Sequence, residues 1–215
     1  MGNVSLIAVG IDDVRELFSG SDTRLTELRD VTARTWPQPA PRGGLLSKLG
    51  PFSRRGVDAP VIYPGVPTAA EIEAVGHGRD VPAERLTAAW ALVGAWLGEH
   101  SWGRLDIPVE RDMLDGFDFD LATQGVPAEL GLRGLFRRSP ALPLKPLPGQ
   151  SVGYARGAQA TAMASHWQAA MPALSPEHRA LAEPIASWLG GFPEWTRLAA
   201  EAGRPAPDLV AAYRA

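Results

Sequence analysis

Ser151 stands in Gly149-Gln-Ser-Val-Gly153, which fits the G-x-S-x-G pattern. In that pattern a tight strand-to-helix turn exposes a serine oxygen as a nucleophile, with an acid and then a histidine downstream. The chain before it reads Pro140-Ala-Leu-Pro-Leu-Lys-Pro-Leu-Pro148, and prolines at that density exclude a central strand. The histidines after Ser151 are His166 and His178, and the one acid before His178 is its neighbour Glu177. A glycine-bracketed turn fits these residues better than a nucleophile, and a hydrolase using Ser151 stands as an alternative. The second candidate is acidic: Glu110, Asp112, Asp115, Asp118 and Asp120. A calcium loop needs D-x-[DN]-x-[DN]-G, a spacing that Asp112–Asp120 does not keep. Asp118-Phe-Asp120 has the D-x-D form of aspartate-nucleophile phosphatases but lacks the apolar strand before it. The reading is a solvated acidic turn docked by Met113, Leu114, Phe117 and Phe119, with a metal-assisted hydrolase at Asp112–Asp120 as the alternative.

The other chemistry-bearing types are sparse. There is no cysteine, which removes disulfides and thiolate sites and fits a reducing cytoplasm. His77, His100, His166 and His178 form no metal-ligand spacing, and no glycine-rich phosphate loop is present. We expect no cofactor, no metal and no catalytic set. A net charge of −3 gives no footprint for nucleic acid. The apolar run near the N-terminus is too short for a signal peptide or membrane span. Candidate binding residues are Trp36 and Trp195, which sit at element ends where an aromatic can anchor a surface contact, and His100 and Trp102, where a helix meets a loop. Arg54 and Arg55 join them, in the most basic part of the chain. Against that last choice, the cations are nearly all arginine (only Lys48 and Lys145 are lysine), so arginines here need carry no function.

These residues need elements to hold them. Glu84–Trp102 is the longest helical pattern, with Leu86, Trp90, Val93 and Leu97 at helical spacing and Ala89, Leu92 and Trp96 widening the stripe. It reads as a central core helix. Ser5–Ile11 reads as a buried strand leading into a helix at Asp13–Phe18, followed by a helix at Asp22–Thr35. Thr68-Ala-Ala-Glu71 is a capping box. Ser151–Tyr154 reads as a strand before a helix at Gln159–Met171, and further helices follow at Glu177–Leu189 and Pro193–Ala202. Asp208–Tyr213 is a final strand. The stretch at about 37–67 carries seven prolines and reads as a long loop or insertion.

Taken in order, the strand and helix at Ser5–Phe18, the tryptophan-bearing helix Val81–Glu99, and the C-terminal half from Gly153-Tyr-Ala to Leu209–Tyr213 resemble the YfbM-like bacterial family of unknown function. The resemblance covers about two thirds of the chain, with the proline-rich segment as a departure. It implies an α+β fold with the terminal strands in one sheet, and it transfers no catalytic residue. The expectation is a single α+β domain over residues 1–215. It has a small mixed sheet that includes the N- and C-terminal strands, with about six helices packed on the central tryptophan-rich helix. The expected function is that of a non-catalytic binding or interaction protein of the bacterial cytoplasm with a protein partner, in an immunity or neutralising role. A structural subunit self-associating through Trp36 and Trp195 is a further alternative.

Overall fold

The computed structural model describes residues 2–37 and 63–215. The apolar run Leu6-Ile7-Ala8-Val9 lies in strand β1 (Gly2–Val9) and is buried on both of its faces. Alternation then sends Val4, Leu6 and Ala8 into one core and Ile7 and Val9 into another. A strand that is apolar on both sides must be covered twice, and the sheet accordingly lies between two helical layers. Strands β2 (Gly103–Val109), β3 (Gln150–Ala155) and β4 (Asp208–Arg214) complete it in the order β2-β1-β4-β3.

The class is α+β and both terminal strands are in the sheet, as expected. The pairing is antiparallel throughout rather than mixed. Each link between adjacent strands folds its helices onto a face and returns the chain in the opposite sense.

One layer holds helices α1 (Ile11–Glu16), α2 (Asp22–Thr35), α3 (Ala69–Gly76) and α4 (Leu86–His100). Trp96 is fully buried there, and its indole N–H donates to the Glu27 carboxylate at 3.0 Å. The other layer holds α5 (Arg111–Thr123), α6 (Leu132–Phe136), α7 (Gly157–Ala170) and α8 (Pro176–Leu189), with α9 (Phe192–Glu201) alongside. Its centre is Trp167, edge-on to Phe117 at 5.1 Å and donating to the Leu130 carbonyl. The tryptophan helix α4 is therefore the core of one layer only. The sheet is what both layers share. No helix among the described residues is long and apolar enough to cross a membrane.

The capping box at Thr68 forms, with the Thr68 amide donating to Glu71 at 2.7 Å. The same carboxylate takes two hydrogen bonds from Arg85, at 2.9 and 2.8 Å, in a nearly buried setting. Arg85 first, and then Thr68, hold the Glu71 carboxyl at about 2. A depressed carboxylate stabilises the fold above its unfolded value of about 4.5, and that contribution disappears as pH falls toward about 2. Glu71→Gln should therefore cost up to roughly 3 kcal/mol near neutral pH. It should also flatten the acid limb of a stability–pH curve, measured by urea unfolding at a series of pH values.

Within the proline-rich stretch, Gly44–Leu49 has the pattern of one helical turn and Val61–Tyr63 that of a short strand; that turn, Val61, Ile62 and the candidates Arg54 and Arg55 lie outside the described residues. Tyr63 is described and is not in a strand.

Candidate binding cleft

Helix α5 follows directly on β2. Leu114, Phe117 and Leu121 turn inward, and Arg111 stands exposed at its first position. The acidic stretch is thus a helix, not a solvated turn. Asp and Gly116 lower its intrinsic helix propensity, but burial of three large side chains outweighs that. Its acids point to different partners. Asp120 accepts from the His178 ring at 2.8 Å and from the Ser175 amide at 3.1 Å. Asp118 accepts from the Leu132 and Arg133 amides, both at 2.8 Å, and so caps α6 from a different helix. Burial raises the Asp118 carboxyl, and the two amides offset only part of that. Asp115 pairs with Arg133 at 2.8 Å. Among the described residues no three His, Asp or Glu side chains gather as a metal site. Phe119, expected to dock on the core, is 73% exposed.

Helix α6 packs across the open end of the sheet, directly over β3. A β-carbon at Gly153 would lie 2.1 Å from the Leu135 carbonyl oxygen, so only glycine lets the two backbones approach this closely. Between α5, α6 and the ends of β3 and β4 lies a cleft of about 490 Å³. Arg111, Arg133 and Arg137 line it, with Ser151 and Tyr213, which face each other in the strand register. It adjoins a hollow of about 310 Å³ that shares Asp115, Arg133 and Arg137 and is edged by the exposed Phe119. On the other side Arg111 and Tyr213 also line a shallow hollow with Glu110 and Asp112. Because Asp115 answers Arg133 and Asp118 is engaged by α6, the cations left over are Arg111 and Arg137. Neither has an ion-pair partner among the described residues.

Ser151 faces this cleft, exposed, at the start of β3. No histidine lines either cavity beside it. His178 is held by Asp120, and His166 is exposed on α7. The geometry gives the hydroxyl a place at a surface with no histidine beside it among the described residues; the carboxylate that lines the same cleft, Asp115, is paired with Arg133.

The residues chosen from the sequence do not come together. Trp195 packs between Gly103 and Gly191, tilted against Trp188 at 5.1 Å and Phe192 at 5.2 Å. Trp36 is half-buried against the α1–α4 core. Both rings are partly covered by packing against the cores and partly open. His100 stacks on Trp96 at 4.3 Å and lies 3.7 Å from Glu27. Burial works to raise the Glu27 carboxyl, but hydrogen bonds from Trp96 and Arg24 outweigh it and hold the group below its ordinary range. Trp102 lies under the Arg204 guanidinium at 4.7 Å, and Arg204 also donates to the His100 carbonyl. The Trp102 ring and the His100 carbonyl therefore join the helix end to the C-terminal region through Arg204.

Sequence reasoning missed Arg111, Arg133 and Arg137. Arg133 and Arg137 lie four apart, which marks one helical face, but an arginine-biased composition hid the signal. No curated protein and no solved structure matches the chain. Over residues 1–214 it matches one family model, and the protein belongs to that family, described as a domain of unknown function, DUF7691.

Proposed function

We propose that this is a non-catalytic interaction protein that docks an acidic segment of a partner protein in the cleft between α5, α6 and β3. One observation carries the reading: Arg111 and Arg137 line a concave surface and have no ion-pair partner among the described residues, and the exposed Phe119 flanks it. Arginine and aromatic side chains are the types enriched at protein interfaces, and an exposed phenylalanine beside arginines suits a protein surface better than a small metabolite. The absence of cysteine suits a cytoplasmic setting, and a neutralising role toward the partner fits a binding face with no histidine beside its serine among the described residues. The likeness to the YfbM-like family belongs to the same proposal. It rests on the strand–helix start, the tryptophan helix and the C-terminal strand, and it adds no catalytic residue.

The test is a fluorescence-anisotropy titration of the full chain with a labelled glutamate-rich peptide. Binding should weaken with salt. It should fall about tenfold in Arg137→Glu, because reversing a charge at the contact replaces attraction with repulsion. Binding that Arg111→Glu and Arg137→Glu both leave unchanged would sink the reading.

A further inference from the structure

The cleft does not end at Ser151. A second recess of about 230 Å³ begins on the other side of β3 and shares Phe136, Gln150 and Ser151 with it. The recess differs in chemistry. Its walls are Trp90, Leu142, Leu144, Pro146 and Val152, from α4, β3 and the proline-laced segment before β3. That segment is fixed on the sheet edge: Tyr154 N–H donates to the Arg138 carbonyl at 3.2 Å, and Leu147 N–H donates to the Gln150 side chain at 2.8 Å. Trp90 is held in turn by donating to the Lys145 carbonyl at 2.8 Å. The recess is therefore pre-formed. Cations thus lie on one side of the β3 edge and an apolar hollow on the other, with Ser151 and Gln150 between them.

From this arrangement we propose that the occupant is an extended partner segment with two features in series. An acidic side chain lies against Arg111 and Arg137, and an apolar side chain of leucine size enters the recess bounded by Trp90, Leu142 and Val152. The proposal rests on the interaction reading above and specifies the motif that the site selects. Charge complementarity fixes which end goes where. The arginines accept the acid, and the recess, with no charged lining residue, excludes it. A volume near 230 Å³ accommodates one such side chain rather than a helix face. Pre-formed walls mean that little ordering is lost on docking.

The experiment compares two labelled peptides of equal charge by anisotropy with the full chain. One contains glutamates and glycine only, and the other has leucine two residues from the glutamates. Burying one leucine side chain should tighten binding about tenfold or more. Leu142→Gln should abolish that gain while leaving the glutamate–glycine peptide unaffected. Val152→Thr, a substitution of similar shape at a half-buried position, should reduce the gain without threatening the fold. Equal affinity of the two peptides would overturn the inference and leave the acidic-partner reading standing. So would a gain that survives both variants. Failure of both peptides to bind would overturn both. Self-association of the wild-type chain in light scattering, lost in Arg137→Glu, would place a second copy in the groove and overturn the partner segment.

Discussion

Replacing Asp208 with alanine should destabilise the protein by roughly 2–4 kcal/mol, the combined range for two helix-start amides that lose their acceptor. Asp208 opens β4 and is 7% exposed. Its carboxylate accepts from the Gly157 amide at 3.0 Å, the Ile11 amide at 3.3 Å and the Arg156 guanidinium at 3.0 Å. Ile11 and Gly157 are the first residues of α1 and α7, which pack on opposite faces of the sheet. A single carboxylate therefore caps one helix of each layer, where the amides left over at a helix start need an acceptor and the helix dipole favours an anion. Alanine would leave both amides without their acceptor at once, and Arg156 with Asp12 alone, at 3.5 Å. Asp208→Asn keeps one acceptor oxygen and should lose less. Urea unfolding should show the midpoint fall in the order wild type, Asn, Ala, with an unchanged slope. Equal stability of the alanine variant would mean that the two layers are not joined through this residue.

Gly153→Ala should cost about 3 kcal/mol, near the top of the range for forcing an extra methyl into a packed site. The clash is with backbone, the Leu135 carbonyl and the Phe136 α-carbon, so no side-chain rotation relieves it. Helix α6 would have to lift off β3, and Arg133 and Phe136, which line the cleft, would move with it. The same exchange at Gly98 provides the contrast. Gly98 is exposed within α4 and a β-carbon there meets nothing within 4 Å. Gly98→Ala should stabilise by up to about 1 kcal/mol through helix propensity alone. Thermal unfolding of the two variants should move in opposite directions. Like shifts would show that α6 does not lie against β3 as described.

The elements themselves were legible. Helix α2 matches Asp22–Thr35 at both ends, and the helices starting near residues 157, 176 and 192 match to within two residues. Each carries its own 3.6-residue apolar stripe and its own start signal, so local sequence suffices. From sequence alone α5 reads as a turn, because Asp and Gly are poor helix formers and its apolar face is interrupted by acids. Only Phe117 packing on Trp167 shows what that face is for. The exposure of Phe119 was illegible for the same reason: in sequence it is one more apolar residue in an apolar set.

By itself, then, the sequence determined three of the four described strands, most of the helices, the buried tryptophans and the absence of thiol chemistry. These follow from periodicity, caps and composition, all of which act within a few residues along the chain. The tertiary structure decided three things that act across long separations. One is the double-sided covering of the sheet, where β1 neighbours β4 although they are the two ends of the chain. Another is the packing of the partly buried Trp195 against Trp188 and Phe192 and the stacking of His100 on Trp96, which engage these candidates within the fold. The last is the cleft, where Arg111, Arg137, Ser151 and Tyr213 come from four separate elements. Spacing along a chain cannot report which charges will lack a partner once every other charge has found one. That follows only from the packed arrangement, and it is why the arginines of the cleft were visible in the sequence as residues but not as a site.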